Sequence, residues 1–206
     1  MVLALAGCQG TATKTEKPIG LLVSKASVQV SPADEEARSD LYLLSSTSRI
    51  YVGDDPADAL GGGFKRPERA ALVTRLPAGL DDAFKFTGWE GNDRSLGLVS
   101  RNRTVLLAVD TREGITQDFR DQTVADYKRK LGTPREVQRS RVRYWFWEQG
   151  KVRLMLCSVV DRRGNLSLTS ALGVFPLMLH FRMDPDMAEK DASAAEVMFD
   201  RGGNHK

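Results

Sequence analysis

The sequence predicts an α+β protein made of two tandem units, each a helix followed by an antiparallel meander, packed as one or two lobes. Three observations predict this fold class. The chain has 206 residues, of which 41% are hydrophobic and 28% charged, enough for a folded domain with an apolar core. Short segments with alternating apolar and polar residues recur between turn residues. A weak internal repeat relates the two halves of the chain.

The internal repeat is organised around two Trp-Glu pairs. The residues that follow each tryptophan at offsets of seven, nine and eleven are identical in type: Leu96, Leu98 and Ser100 after Trp89, and Leu154, Leu156 and Ser158 after Trp147. Such Leu-x-Leu alternation is typical of a half-buried strand. A proline turn precedes each block, Phe64-Lys65-Arg66-Pro67 in one half and Leu131-Gly132-Thr133-Pro134 in the other. We therefore expect a first unit over residues 19–115 and a second over residues 116–183.

Local patterns predict the other elements in order. The apolar residues 19–30, 41–44 and 49–52 predict strands, the first at the N-terminal end of unit one. Asp54-Asp55-Pro56 predicts the start of a helix, and the glycines at 61–63 its end. The polar segments 101–103 and 162–165 predict hairpin turns. Residues 184–206 are polar and predict a partly disordered tail with one helical segment at 188–199.

The first residues predict export and a lipid anchor. Leu5-Ala6-Gly7-Cys8 follows an apolar opening and precedes a polar stretch without periodicity. This arrangement resembles the lipobox of bacterial lipoproteins, in which small residues fit the signal peptidase and the cysteine thiol receives a diacylglycerol. The resemblance implies a signal remnant at 1–7, lipidation of Cys8 and a lipidated tether at 8–18. The alternative is a chance tetrapeptide, since none of the seven residues before Cys8 is basic.

The two cysteines differ in setting, and only Cys8 is expected to be modified. Cys157 lies in the apolar run 152–160, which predicts a buried strand thiol. With Cys8 acylated, no intramolecular disulfide is expected. Gln9 follows Cys8, where aspartate signals inner-membrane retention in some bacteria, so the outer membrane facing the periplasm is favoured.

The sequence predicts no enzyme, no catalytic residue, no cofactor and no metal. A nucleophile needs a base, and the chain has two histidines: His180 in an apolar run, interpreted as a strand-end residue, and His205 in the tail. Zinc sites need three or four ligands at recognisable spacing, and no His/Cys cluster exists. The neighbouring carboxylates lie in turn-like contexts and are interpreted as solvated loops and helix caps: Glu35 and Glu36, Asp54 and Asp55, Asp81 and Asp82.

Charge and patterning suggest a protein partner and not a nucleic acid. The net charge is +3, from 30 basic and 27 acidic residues spread along the chain. On a strand, alternation places five residues of the types enriched in interfaces on one side: Arg139, Arg141, Arg143, Trp145 and Trp147. These residues form the candidate binding surface. The alternative is that the two tryptophans pack under a helix and that the arginines keep an edge strand soluble.

The second half of the chain resembles a known family. Residues 123–173 contain a helix pattern ending in Leu131-Gly132-Thr133-Pro134, the aromatic run Tyr144-Trp145-Phe146-Trp147 and an apolar strand. This order resembles the SmpA/OmlA (BamE-like) outer-membrane lipoproteins of the β-barrel assembly machinery, and the related tandem-repeat β-lactamase inhibitor proteins. The resemblance implies a lipid-anchored envelope protein that binds another, unknown envelope protein. Alternatives are a secreted or surface inhibitor or ligand-binding module, a structural lipoprotein without a specific partner, and a carboxylate enzyme.

Overall fold

The fold is taken from a computed structural model that describes residues 28–45, 48–61, 71–75, 80, 83–90, 93–139, 141–181, 183 and 185. The helices in this part of the chain are α1 (Pro32–Glu35), α2 (Pro56–Gly61), α3 (Gln117–Leu131) and α4 (Phe175–His180). Its strands are β1 (Leu43–Ser45), β2 (Ser48–Ile50), β3 (Ala71–Arg75), β4 (Lys85–Glu90), β5 (Arg94–Arg101), β6 (Thr104–Ile115), β7 (Arg135–Arg139), β8 (Val142–Gln149), β9 (Val152–Val160) and β10 (Leu166–Val174).

One antiparallel sheet of eight strands dominates the fold, in the order β3-β4-β5-β6-β10-β9-β8-β7. The prediction of two helix-plus-meander units is therefore wrong. Strand β6 pairs with β10 from Leu107↔Gly173 to Ile115↔Leu166, so the sheet crosses the predicted boundary between 115 and 116 without interruption. Pairing these two long strands removes two open edges that separate meanders would expose. Three of the four helices in the described part of the chain have six residues or fewer.

The repeated residues occupy equivalent register positions in the two halves of the sheet. Trp89 on β4 lies opposite Leu96 on β5, and Trp147 on β8 lies opposite Leu154 on β9. Each half contributes four strands, β3–β6 and β7–β10, which meet at the central pair β6 and β10. The repeat in the sequence thus corresponds to a repeated strand register within one sheet.

Both faces of the sheet are covered, which explains why its central strands are apolar on both sides. We call one face the α3 face, because Tyr127 of α3 lies 5.8 Å from Trp147, ring centroid to ring centroid. The β1–β2 hairpin joins this layer through the Leu44 amide, which donates to the Tyr127 hydroxyl at 2.7 Å. We call the other the α4 face, because Phe175 of α4 packs on Arg153 of β9. Strands with strictly alternating apolar and polar residues would instead give a sheet with one polar face.

Helix α3 ends at the Leu131-Gly132 turn expected from the sequence, and Thr116 caps its start. The Thr116 hydroxyl accepts a hydrogen bond from the Phe119 amide, which satisfies a donor of the first turn. Gly132 follows the helix with φ = 83°, a backbone conformation that glycine adopts without strain. Three basic residues in the last turn, at 128–130, interact favourably with the helix dipole.

Other predicted elements are found with adjusted bounds. Helix α2 starts at Pro56, and the Asp55 carboxylate accepts a hydrogen bond from the Ala57 amide. The predicted strands at 41–44 and 49–52 are β1 and β2, each three residues long. In the turn between β5 and β6, Asn102 and Arg103 have φ of 52° and 60°, as a tight hairpin requires.

Some predictions differ from the structure or lie beyond it. His180 belongs to helix α4 and is not at a strand end, because Pro176 in the first turn starts a helix there. Residues 28–30 are not in a strand, and the rest of the predicted strand 19–30 lies outside the described residues. Also outside the described residues are the signal remnant, Cys8 and the tether, the turn at 64–67 and the helical segment at 188–199.

Candidate functional site

The tryptophans of the predicted binding surface lie in the core. Trp145 and Trp147 are 2% and 5% exposed. The Trp147 indole Nε1 donates a hydrogen bond to the Gly132 carbonyl at 2.9 Å, next to the end of α3. Strand alternation places both indoles on the α3 face, and Trp147 contacts the helix through the Tyr127 ring. Trp147 holds α3 on the sheet, as the alternative interpretation proposes, and neither buried indole is available to a partner.

Of the three arginines of that surface, the two with described side chains differ in exposure. Arg139 ends β7, and Arg141 is exposed in the turn that leads to β8. Arg143 is half-buried, with its guanidinium carbon 5.4 Å from the centre of a Trp145 ring. Its Nε is buried and has no hydrogen-bond partner among the described residues. The five predicted residues therefore do not form one exposed surface.

The described residues do contain a polar pocket on the α3 face, where α3 crosses the central strands. Its volume is about 210 Å³. The polar side chains that line it include Asp110, Arg112, Gln122, Thr123, Tyr127 and Ser170. Leu44, Phe119 and Leu168 contribute apolar wall. This site is not evident from the sequence, because its residues come from α3, the β1–β2 hairpin and two strands that are distant in sequence.

A buried carboxylate held by two guanidinium groups lies at this pocket. Asp110 is 3% exposed. Its Oδ1 accepts from Arg94 Nε at 2.7 Å, and its Oδ2 accepts from Arg94 Nη2 at 3.2 Å and from Arg112 Nε at 3.1 Å. The strand register explains the cluster, because Arg94 lies directly opposite Arg112, two residues from Asp110 along β6. A buried charge requires such partners, and the three groups together carry one net positive charge.

Arg112 is held in a fixed orientation while part of its guanidinium stays available. Its Nε is bound to Asp110, and its guanidinium carbon lies 5.1 Å from the centre of the Phe119 ring. The two terminal nitrogens have no hydrogen-bond partner among the described residues. Because the side chain lines the pocket, these donors are available to a ligand there.

Two hydroxyl groups add donors to the same pocket. The Tyr127 oxygen accepts from the Leu44 amide, which leaves its own hydrogen free to donate to a ligand. Burial raises the pKa of Tyr127 above its ordinary value, so the hydroxyl stays protonated at physiological pH. Ser170 lies opposite Asp110 on β10 and is 6% exposed.

A second feature is an apolar patch on α4, which we call the α4 patch, formed by Phe175, Leu179 and Arg153. Phe175 and Leu179, one helical turn apart, are each 37% exposed. The guanidinium carbon of Arg153 lies 3.9 Å from the centre of the Phe175 ring. An exposed aromatic ring beside an arginine is a combination enriched at protein interfaces.

The cysteine and the histidine in the described part of the chain are both buried. The Cys157 thiol lies within β9, and burial raises its pKa to about 12 although a hydrogen bond with Tyr144 opposes the shift. His180 is 4% exposed and its ring packs edge-on against Phe181 at 4.9 Å. No group of three or more His, Cys, Asp or Glu side chains in the described part of the chain is arranged to hold a metal ion. None of the described helices has the length and apolar character that a membrane crossing requires.

Comparison with models of protein families, with curated proteins and with solved structures finds no match for this chain. The likeness to SmpA/OmlA lipoproteins and β-lactamase inhibitor proteins therefore stays a prediction from short sequence motifs. The functional proposals below rest on the residues of this chain.

Proposed function

We propose that the protein is a lipid-anchored component of the bacterial cell envelope that acts by binding another envelope protein. The observation that carries this proposal is the sequence Leu5-Ala6-Gly7-Cys8 followed by a polar stretch that extends to Pro18. A diacylglycerol on Cys8 would hold the folded domain at a membrane, with the polar stretch as a spacer. Gln9 favours the outer membrane, with the domain facing the periplasm.

The environment of the second cysteine supports Cys8 as the modified residue. Cys157 is 8% exposed within β9 and its pKa is raised to about 12 by burial, so very little thiolate forms at neutral pH. Acyl transfer and oxidation both need an accessible sulfur. Cys157 therefore does not compete with Cys8 for modification in the folded protein.

The α4 patch supports a protein partner. Phe175 and Leu179 keep more than a third of their surface in water. Covering apolar surface is favourable by about 25 cal/mol per Å². Arg153 lies against the Phe175 ring and is paired with Glu148 at 3.3 Å, so it holds the ring in place at the edge of the patch. A partner with a complementary apolar surface would cover Phe175 and Leu179.

Fractionation of bacterial cells tests the anchor. We expect the wild-type protein in the membrane fraction, released by detergent and not by high salt, and the Cys8→Ala variant in the soluble fraction. Cys157→Ala is the matched control, because it removes the other thiol and should stay with the membrane. A wild-type protein that is soluble, or a Cys8→Ala variant that stays in the membrane, would contradict the proposal.

Site-specific photo-crosslinking tests the protein contact. A photoreactive amino acid at Leu179 should give a discrete crosslinked species in cells, and Phe175→Ser should abolish it. The same probe at Asp118, which is exposed at the start of α3 on the other face of the sheet, is the control. The absence of a crosslink at Leu179, or equal crosslinking at Asp118, would argue against the α4 patch as the interface.

A further inference from the structure

We propose that the pocket between α3 and the sheet binds a small carboxylate with a single negative charge, and that the terminal nitrogens of Arg112 are its anion-binding group. This site goes beyond the proposed function, since it requires neither the lipid anchor nor a protein partner. It lies on the opposite face of the sheet from the α4 patch.

The charge balance of the pocket favours one negative charge. Asp110 is buried and accepts hydrogen bonds from both Arg94 and Arg112, so Arg112 shares its anion with a second arginine. The Arg112 side chain is 24% exposed, which limits how far water screens its charge. A singly charged anion would balance the charge that Asp110 leaves uncompensated on Arg112. A buried or half-buried cluster is most stable when its charges are compensated.

The geometry of Arg112 favours a planar anion. Asp110 binds its Nε edge and Phe119 packs against its guanidinium, so the plane of the group is set before a ligand arrives. The two terminal nitrogens form the fork that pairs with both oxygens of a carboxylate. Because the side chain is held in place, little conformational entropy is lost on binding.

The rest of the pocket suits a small molecule with a short apolar body. The hydroxyls of Tyr127 and Ser170 are further donors for a carboxylate oxygen, and Leu168 and Phe119 line the apolar side. The volume of about 210 Å³ is below the range of roughly 300–1,000 Å³ typical of drug-sized ligands. A carboxylate of a few carbon atoms fits these limits.

The charged side chains around the pocket disfavour a dianion such as phosphate, and an amine would find the Asp126 carboxylate already bound to Arg129. That carboxylate lines the pocket and bonds to Arg129 at 2.5 Å on the exposed side of α3. A second negative charge on the ligand, as on a phosphate at neutral pH, would have no cation left to balance it. An amine would meet the free donors of Arg112, which repel a cation. The monoanionic carboxylate is the ligand that these groups fit.

Calorimetric titration of the full-length Cys8→Ala protein with butyrate tests the site, with butyramide as the neutral molecule of the same shape. We expect saturable binding of butyrate with a Kd of about 1 mM or tighter and no binding of butyramide. Butylamine should bind at least about ten-fold more weakly than butyrate, because a cation cannot accept the hydrogen bonds of the fork. At pH 8, where inorganic phosphate is mostly a dianion, it should also bind at least about ten-fold more weakly, because its second negative charge has no cation to balance it. Absence of butyrate binding, or equal binding of butyramide or phosphate, would overturn the proposal.

Two variants locate the binding on Arg112. Arg112→Gln removes the fork and Arg112→Lys keeps the charge but not the fork, so both should weaken butyrate binding at least about ten-fold. Arg103→Gln is the matched control, because Arg103 is an exposed arginine bound to Asp55 at the other end of the hairpin. Circular dichroism establishes whether each variant is folded. If Arg112→Gln does not fold, the affinity of Arg112→Lys for butyrate decides the test. Unchanged affinity in Arg112→Lys would exclude the fork as the binding group.

Discussion

Replacing Asp110 by asparagine should destabilise the protein strongly, because it leaves two guanidinium groups without their shared anion. Removing one partner of a buried ion pair costs about 3–5 kcal/mol. In the folded protein, 13% of the Arg94 side chain and 24% of the Arg112 side chain are exposed to water. Part of their charge is therefore solvated after the substitution. We therefore expect a loss near the lower limit, about 3 kcal/mol, out of the roughly 5–15 kcal/mol typical of a folded domain.

Urea denaturation followed by circular dichroism measures this loss. With a denaturant slope of about 2 kcal/mol/M, a destabilisation of about 3 kcal/mol lowers the midpoint by about 1.5 M. Asp55→Asn is the control, since Asp55 also binds an arginine but this partner, Arg103, is 87% exposed. Asparagine preserves the helix cap that Asp55 provides, so the midpoint should move little. If the two variants shift the midpoint equally, the account of the buried cluster is wrong.

Three further outcomes follow from the same structure. Trp147→Phe keeps an aromatic ring on the α3 face but removes the indole hydrogen bond at the end of α3, which should cost about 1 kcal/mol in urea denaturation. Burial raises the pKa of Asp34, but hydrogen bonds from Ser31 and Lys151 outweigh it and lower that pKa below its ordinary value. The wild-type protein should therefore lose more stability than Asp34→Asn as the pH falls below about 4, and equal losses would refute this. In the Cys8→Ala protein, Cys157 should resist alkylation at pH 8 until denaturant is added, as measured by intact mass.

The parts of the fold that depend on neighbouring residues were predictable from the sequence. Helix α3 ends at Gly132 because that residue adopts a positive φ. The hairpin at 101–103 follows from the two residues that enter the left-handed region. The alternation on β8 places Arg143, Trp145 and Trp147 on one side, which is the arrangement that the strand adopts. These features are set by local backbone preferences and by side-chain alternation.

The parts that depend on distant contacts were not predictable. The pairing of β6 with β10 joins residues from 51 (Ile115↔Leu166) to 66 (Leu107↔Gly173) positions apart, and nothing within either strand specifies its neighbour. That pairing converts two expected units into one sheet. It also explains why alternation misled the prediction of a binding surface: α3 covers the side that carries Trp145 and Trp147.

The candidate pocket left only a faint signal in the sequence. Asp110 and Arg112 stand two apart at the end of an otherwise apolar run, which indicates a charged pair on one face of a strand. Regular pairing from the hairpin turn at 101–103 would place Arg94 opposite Thr111. An irregularity at Val99/Ser100 shifts the register and brings Arg94 opposite Arg112, so this part of the cluster cannot be derived from the turn alone. Tyr127 and Ser170 join the pocket through tertiary packing alone, and no local pattern indicates them.

The intact mass of the protein purified from its native host tests the central claim most directly. The protein should be expressed with its own upstream sequence, beside a Cys8→Ala version. We predict a mass that corresponds to a chain starting at Cys8 and carrying acyl groups, and no such species from the variant. An unmodified chain that retains Met1 would contradict the anchor and, with it, the proposed function in the cell envelope.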